Sequence, residues 1–261
     1  MIMMFQSLSI TCSSTMNNQQ IEFFIAPILI FVSIIQSVYG VGVLLFGTPL
    51  LMLLGMSMEE IRWLVLPVSA SISLVQIALN WKDIHWRFIK DFSFTVLPIT
   101  AITMYVVSGK SVLPFLTLWM GIYLIVFSLG FYSVKGKRII QQLMGYKLGY
   151  LFVSGIIHGL TNLGGSLLSS YLVITQENKQ QARTTMALSY LLLVAVQMVT
   201  MGWMKQIKYW HSQNLYYVLL CLGVFFVANR LLFKSLTQLQ FQRYFGPILF
   251  AVGCILIAKN L

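Results

Sequence analysis

The sequence predicts an all-α integral membrane protein, a polytopic helical bundle built from two inverted repeats, each a broken-helix hairpin plus three transmembrane helices. Three observations carry that expectation. The first is composition: of 261 residues, 58% are hydrophobic and 9% charged, with a mean hydropathy of +0.84. A water-soluble domain is about 25% Asp, Glu, Lys and Arg. The 17 basic and 6 acidic side chains here are too few to solvate a 29.7 kDa globule. The second is that long uncharged runs separate these charges. The third is that the two longest runs resemble each other. An ordinary cytosolic enzyme and a disordered chain are thereby excluded.

In chain order, residues 1–22 read as a polar tail. The first 20 carry no Lys or Arg, so they lack the basic flank of a secretory signal. Uncharged runs follow at 23–58, 63–81, 92–109, 111–134, 148–176, 184–204, 215–229 and 244–258. A helix needs about 20 residues to cross the hydrocarbon. Most runs suit one crossing, and the last two are short for it. At 36 and 29 residues, the first and fifth are long for one crossing and tight for two. Both carry helix breakers in their middle, Gly40, Gly42, Gly47 and Pro49 in one, Gly159, Gly164 and Gly165 in the other. Simple kinks or close helix packing, which the Gly155-x-x-x-Gly159 spacing supports, would explain them. A broken helix lining a polar cavity explains them together with the neighbouring Gln, Thr, Asn and His, and that reading is preferred.

The two long runs align. Ile34-Ile35-Gln36 falls on Ile156-Ile157-His158 at an offset of 122, and Gly42 on Gly164. With one residue of slippage Arg62 meets Arg183 and Val75-Gln76 meets Val196-Gln197, and Trp81 then falls on Trp203. The repeats are placed at 23–134 and 148–261, joined by a basic loop at 135–147. Loop charge selects a topology. If each broken run crossed once, the basic residues would divide 7 against 10. If each is a hairpin returning to its starting side, loops 82–91, 135–147, 176–183 and 230–243 share one side and hold 12 of the 17. The positive-inside rule favours the second arrangement, with both termini outside the cytoplasm and the hairpins entering from opposite sides.

The stretch Gly40-Val-Gly42-Val-Leu-Leu-Phe-Gly47-Thr48-Pro49, and its later counterpart Gly155-Ile-Ile-His158-Gly159-Leu-Thr161-Asn162-Leu-Gly164-Gly165, resemble the motifs of the sulfite exporter TauE/SafE family of membrane permeases. The basic residue before the next span, Arg62 or Arg183, is similar to that family's pattern. The resemblance implies transport of small sulfur-containing or organic anions across the cell membrane; separately, the chain shows no nucleotide loop, so a gradient would have to drive alternating access.

The residues themselves suggest how a polar solute could be held. Peptide N–H groups freed at a helix start bind oxyanions, and glycine lets backbone approach closely. Gly40, Gly42, Asn162, Gly164 and Gly165 are candidates for that chemistry. Gln36, Thr48, Gln76, His158, Thr161 and Gln197 are candidates for directed side-chain hydrogen bonds. By this reading no Lys or Arg lies inside a span, so anion selectivity would rest on dipoles, and a zwitterionic solute would suit the same groups. His158 is the one side chain inside a span able to titrate near neutral pH; its alternative role is to fix the hairpin as a neutral ring. Arg62 and Arg183 are expected to snorkel to the interface, or else to form a cavity rim that attracts anions. Trp63, Trp81, Trp86, Trp203 and Trp210 are expected as interfacial anchors, and Glu59 and Glu60 as exposed loop charges. Cys12, Cys221 and Cys254 are an odd number with no CxxC spacing, and the last two read as small buried apolar residues.

The basic residues form no patch, so nucleic acid is not an expected partner; a lipid bilayer is, and a homodimer is admitted. Hydrolytic chemistry would need paired acids, a metal cluster or a nucleophile beside a base. The spans hold none, His85, His158 and His211 lack metal-ligand spacing, and no Lys follows the glycines as in a nucleotide loop. No cofactor is expected and the chain reads as no enzyme. The competing class is a membrane assembly or sensor protein whose broken helices are structural.

Overall fold

The computed structural model describes residues 18–107, 113–132, 134–176, 178–205 and 213–260. Among them the regular structure is entirely helical: α1 (Asn18–Tyr39), α2 (Thr48–Met52), α3 (Met58–Asn80), α4 (Trp86–Val107), α5 (Leu113–Tyr132), α6 (Val134–Gly145), α7 (Lys147–Thr161), α8 (Gly165–Thr175), α9 (Lys179–Trp203), α10 (Gln213–Ala228) and α11 (Gln238–Asn260), with π-turns at Val43–Gly47 and Asn229–Phe233. Among the described residues, six segments are long and apolar enough to cross a membrane, Glu22–Tyr39, Met58–Asp83, Trp86–Val107, Lys179–Trp203, Asn214–Phe233 and Leu239–Ala258. Their outward faces carry Phe94, Val199, Phe226 and Leu239, each well exposed. A surface of that kind is stable against lipid rather than water.

Both long uncharged runs are broken, and by the same device. α1 ends where Gly40 adopts φ +75°, and α7 where Asn162 adopts φ 63°. These two left-handed residues stand 122 apart. Each N–H closes the end of its helix, Gly40 onto the Gln36 carbonyl at 2.8 Å and Asn162 onto the His158 carbonyl at 2.9 Å. Glycine and asparagine are the residues that accept this conformation. Two residues later the chain folds back on its own helix. A Cβ on Gly42 would stand 2.4 Å from the Val32 carbonyl oxygen, and one on Gly164 would stand 2.1 Å from that of Ser154. Val32 and Ser154 are again 122 apart, so the offset seen in the letters recurs in these backbone contacts.

The helices then pack in exchangeable pairs: α1 on α10 and α4 on α7, α3 on α10 and α4 on α9, with α3 on α9 and α5 on α11 pairing equivalent elements. Swapping the halves maps this set onto itself. The glycine spacing in α7 serves α4: Gly155 faces Ile99 and Gly159 faces Thr100 and Thr103, and the Thr100 hydroxyl donates to the Gly155 carbonyl at 3.3 Å. Gly121 and Gly253 meet where α5 crosses α11, a Cβ on Gly253 falling 2.8 Å from Ile125 and 3.1 Å from the Gly121 carbonyl. Gly253→Leu is therefore expected to push these helices apart, at a cost of about 1–3 kcal/mol for overpacking. A melting curve in detergent should show a fall of several degrees against Gly223→Ala, whose Cβ meets nothing within 4 Å.

Contacts link the four basic segments or their immediate neighbours. Lys147 pairs with Asp91, the His85 N–H donates to Thr185 Oγ1 at 3.0 Å, and Lys179 donates to the Phe233 carbonyl at 3.0 Å and to that of Leu236. Several expectations need correction. Residues 134–145 are helix rather than loop, with Ile140 and Met144 turned inward onto Tyr150. Residues 18–22, assigned to the tail, begin α1. Glu59 and Glu60 stand in the first turn of α3, where Ser57 and Glu60 form a reciprocal capping box that satisfies the orphan N–H groups of the helix start. Trp63 is buried in the core, whereas Trp81, Trp86 and Trp203 face outward as anchors would. Cys221 is buried and Cys254 half-buried, both free. Residues 1–17, with Cys12, and also Trp210 and His211, lie outside the described residues.

Candidate functional site

The two helix breaks bring a polar cluster into the centre of the bundle. Gln36, Thr48, Gln76, His158, Asn162 and Gln197 are all completely buried. In the first half, Gln36 Nε2 donates to the Ser69 carbonyl at 3.1 Å and lies 3.2 and 3.3 Å from the Ser69 and Ser73 hydroxyls. Its Oε1 accepts the Val43 N–H at 3.0 Å, which fixes the chain as it leaves the break. Gln76 reaches from α3 to the carbonyls of Gln36 (2.9 Å) and Ser37 (3.4 Å) at the end of α1. In the second half, Gln197 reaches from α9 to His158 Nε2 at 2.8 Å and Asn162 Oδ1 at 3.1 Å. Asn162 Nδ2 donates to Thr48 Oγ1 at 3.0 Å. That bond joins the two broken segments directly.

The chemistry of the His158 ring follows from these contacts. Gln197 Nε2 carries only protons, so His158 Nε2 accepts and the ring holds its proton on Nδ1. His158 Nδ1 has no partner among the described residues, and neither do Gln76 Oε1 and Gln197 Oε1. Protonating the ring would set N–H against N–H, and Gln197 would have to present Oε1 instead, giving up Asn162. A neutral imidazole therefore suits the cluster as it stands.

Other candidates play backbone roles. The N–H groups of Gly40 and Asn162 are spent on their own helices, so neither offers the freed donor that the glycine pattern suggested. Gly42 and Gly164 serve close approach instead, and the Ser154 hydroxyl donates to the Gly164 carbonyl at 2.7 Å. Gly165 begins α8 under the ring of Tyr190, whose hydroxyl occupies the place of a Cβ. Thr161 donates to the Ile157 carbonyl at 2.7 Å and accepts the Leu163 N–H at 3.1 Å, both within its own turn.

The largest departure from the sequence reading concerns the arginines. Arg62 and Arg183 do not snorkel; they are 5% and 1% exposed, inside α3 and α9. Arg62 Nη2 donates to the Gly159 carbonyl at 3.1 Å. Arg183 Nη1 donates to the Ser37 carbonyl at 3.1 Å and to Asn229 Oδ1 at 2.8 Å, with its guanidinium 3.7 Å from the centre of the Phe233 ring. Ser37 and Gly159 are 122 apart. Each arginine thus caps the carbonyl end of the other half's broken helix. Ser69, Ser73 and Asn229 also join the site unforeseen. The available signal was the shared offset of 121 that links Arg62 to Arg183 and Gln76 to Gln197.

The model of the sulfite exporter TauE/SafE family matches residues 25–256. The chain belongs to that family. No curated protein and no solved structure gives a significant match to it. As a TauE/SafE member it is a multi-pass membrane transporter rather than an enzyme. The electrostatics of the TauE/SafE chain fit a charged solute in one specific respect. The inward ends of α1 and α7 are carbonyl ends, each equivalent to about half a negative charge. Left bare they would repel an anion, and the two guanidinium groups reverse that sign.

Proposed function

We propose that this TauE/SafE chain carries a small oxyanion, sulfite or a related sulfonate or organic acid, across the cell membrane by alternating access. The solute sits between the two broken-helix ends, hydrogen-bonded by Gln36, Thr48, Gln76, His158, Asn162 and Gln197. The observation that carries this reading is the buried polar bridge from His158 through Gln197 and Asn162 to Thr48. Buried polar atoms without partners are costly, and Gln76 Oε1, Gln197 Oε1 and His158 Nδ1 await a protonated or hydrated solute.

The two halves are inverted on this reading, and the contacts support it. Arg62 near the start of α3 and Gln197 near the end of α9 both reach the end of α7. Gln76 late in α3 and Arg183 early in α9 both reach the end of α1. Two equivalent helices that share neighbours in opposite order run antiparallel. With the two buried arginines set aside, the basic side retains 11 loop residues against 4; it faces the cytoplasm. The complete burial of the cluster makes this an occluded conformation, and opening requires one broken pair to part from the other.

The test is flux. Purified protein in liposomes should accumulate sulfite with saturation, driven by the sulfite gradient alone. Gln76→Leu and Gln197→Leu each leave an acceptor or His158 unpaired, so each should lower kcat/KM by about tenfold or more. Flux that rises linearly with sulfite, or equals that of empty liposomes, would refute the reading.

A further inference from the structure

We propose that Arg62 and Arg183 are the anion-selecting groups of the pathway, one toward each face, and that each exchanges its cap on the opposite broken helix for the oxyanion. This rests on the oxyanion reading above and deepens it.

Both guanidinium groups lie in the protein interior, and among the described residues the one ion pair is that of Lys147 with Asp91. Neither arginine forms an ion pair with a carboxylate among the described residues, and the nearest acidic influence on Arg62 is Glu59, one turn earlier in α3, acting through space. A buried charge without a counter-charge is strongly disfavoured, and a helix carbonyl end supplies only about half a charge in return. Each group also keeps a donor in reserve: Nε of Arg62 and Nε of Arg183 are buried and have no hydrogen-bond partner. The guanidinium fork matches oxyanion geometry, and Nε–H is half of its side-on edge. What each guanidinium lacks is a directly hydrogen-bonded anion with several acceptor oxygens, which a small oxyanion supplies.

The placement divides the work between the faces. Along α3, Arg62 and Gln76 are 14 residues apart, about 21 Å of helix. Arg183 shares the Ser37 carbonyl with Gln76, so the two arginines sit at different depths, each below one half's break. An anion arriving at one arginine competes with the carbonyl cap there. Releasing that cap frees the opposite half's hairpin and leaves the other end held. The same contact thus reads the charge and loosens one side.

The experiment uses full-length protein reconstituted in one known orientation, with sulfite as the probe, and the variants Arg62→Lys and Arg183→Lys. Lysine keeps the charge and loses the fork. Arg62→Lys is expected to raise the sulfite KM by about tenfold for entry from one face and Arg183→Lys for entry from the other. A structural role would move stability alike for both faces. A KM within about twofold of wild type from both faces, in both folded variants, overturns the proposal. A thermal-shift titration with sulfite decides it separately from flux. If wild-type protein moves no sulfite, the transport reading fails; a sulfite-induced rise in Tm that is lost in both variants still supports the arginine site, and a rise retained in both overturns it. Should the lysine variants not fold, wild-type protein is labelled with phenylglyoxal and its peptides mapped. Protection of Arg62 and Arg183 by sulfite supports the site, and equal labelling with and without sulfite overturns it.

Discussion

Gly164→Ala is expected to abolish both sulfite flux and most of the folded fraction. The new methyl would stand 2.1 Å from the Ser154 carbonyl oxygen and 2.6 Å from the His158 N and Cβ. Most of these are backbone atoms of α7, which cannot rotate aside as a long side chain would. Overpacking a core by one methyl ordinarily costs about 1–3 kcal/mol, and here α8 must also back away from α7. That movement breaks the bond from Ser154 Oγ to the Gly164 carbonyl and carries Gly165 off Tyr190. Gly42→Ala should behave alike, because its Cβ meets the Val32 carbonyl at 2.4 Å and the Gln36 N at 2.5 Å. Gly202→Ala, with nothing within 4 Å, is the control and should keep wild-type Tm and flux. Detergent melting curves and liposome uptake check all three. Wild-type behaviour of Gly164→Ala would mean that α8 does not fold back on α7.

Much of this geometry could be read in the letters because its cause is local. A long uncharged run interrupted by glycines has few ways to satisfy its peptide groups inside lipid, and a hairpin folded on its own helix is one of them. The offset of 122 then gave Gln36 with His158 and Gly42 with Gly164, and the structure adds Gly40 with Asn162 as the paired left-handed residues. The pairing of Asn162 with glycine was not evident, since asparagine reads first as a hydrogen-bonding side chain. What the sequence hid is tertiary. Cutting spans at every charge puts Arg62 and Arg183 at boundaries by definition, yet both lie inside helices because the carbonyl end of the other half's broken helix reaches them there. Ser69 and Ser73 were hidden for a similar reason: only the position of Gln36 beside α3 distinguishes them from ordinary packing serines. Residues 135–147 read as a loop by their charge, but Ile140 and Met144, four apart, give the segment a helical inner face.

Asn162 separates backbone from side chain as no other position does. Its φ of 63° is easy for asparagine or glycine and strained for alanine, while its amide holds Thr48 on one side and Gln197 on the other. Asn162→Gly should preserve the left-handed cap on His158 and so keep Tm within a few degrees of wild type. It removes the one described hydrogen bond between the side chains of the two breaks, so sulfite kcat/KM should fall by about tenfold or more. Asn162→Ala loses the bridge and strains the backbone as well, adding about 1 kcal/mol or more of instability, and should fall below the glycine variant in both measurements. Thr48→Val supplies the coupling. If the bridge is what links the halves, Thr48→Val in the Asn162→Gly background should have little further effect on flux, whereas independent roles would make the two losses multiply. A glycine variant with wild-type kcat/KM would leave Asn162 as a backbone cap alone, and the solute path would then run elsewhere than through the Thr48–Asn162 contact.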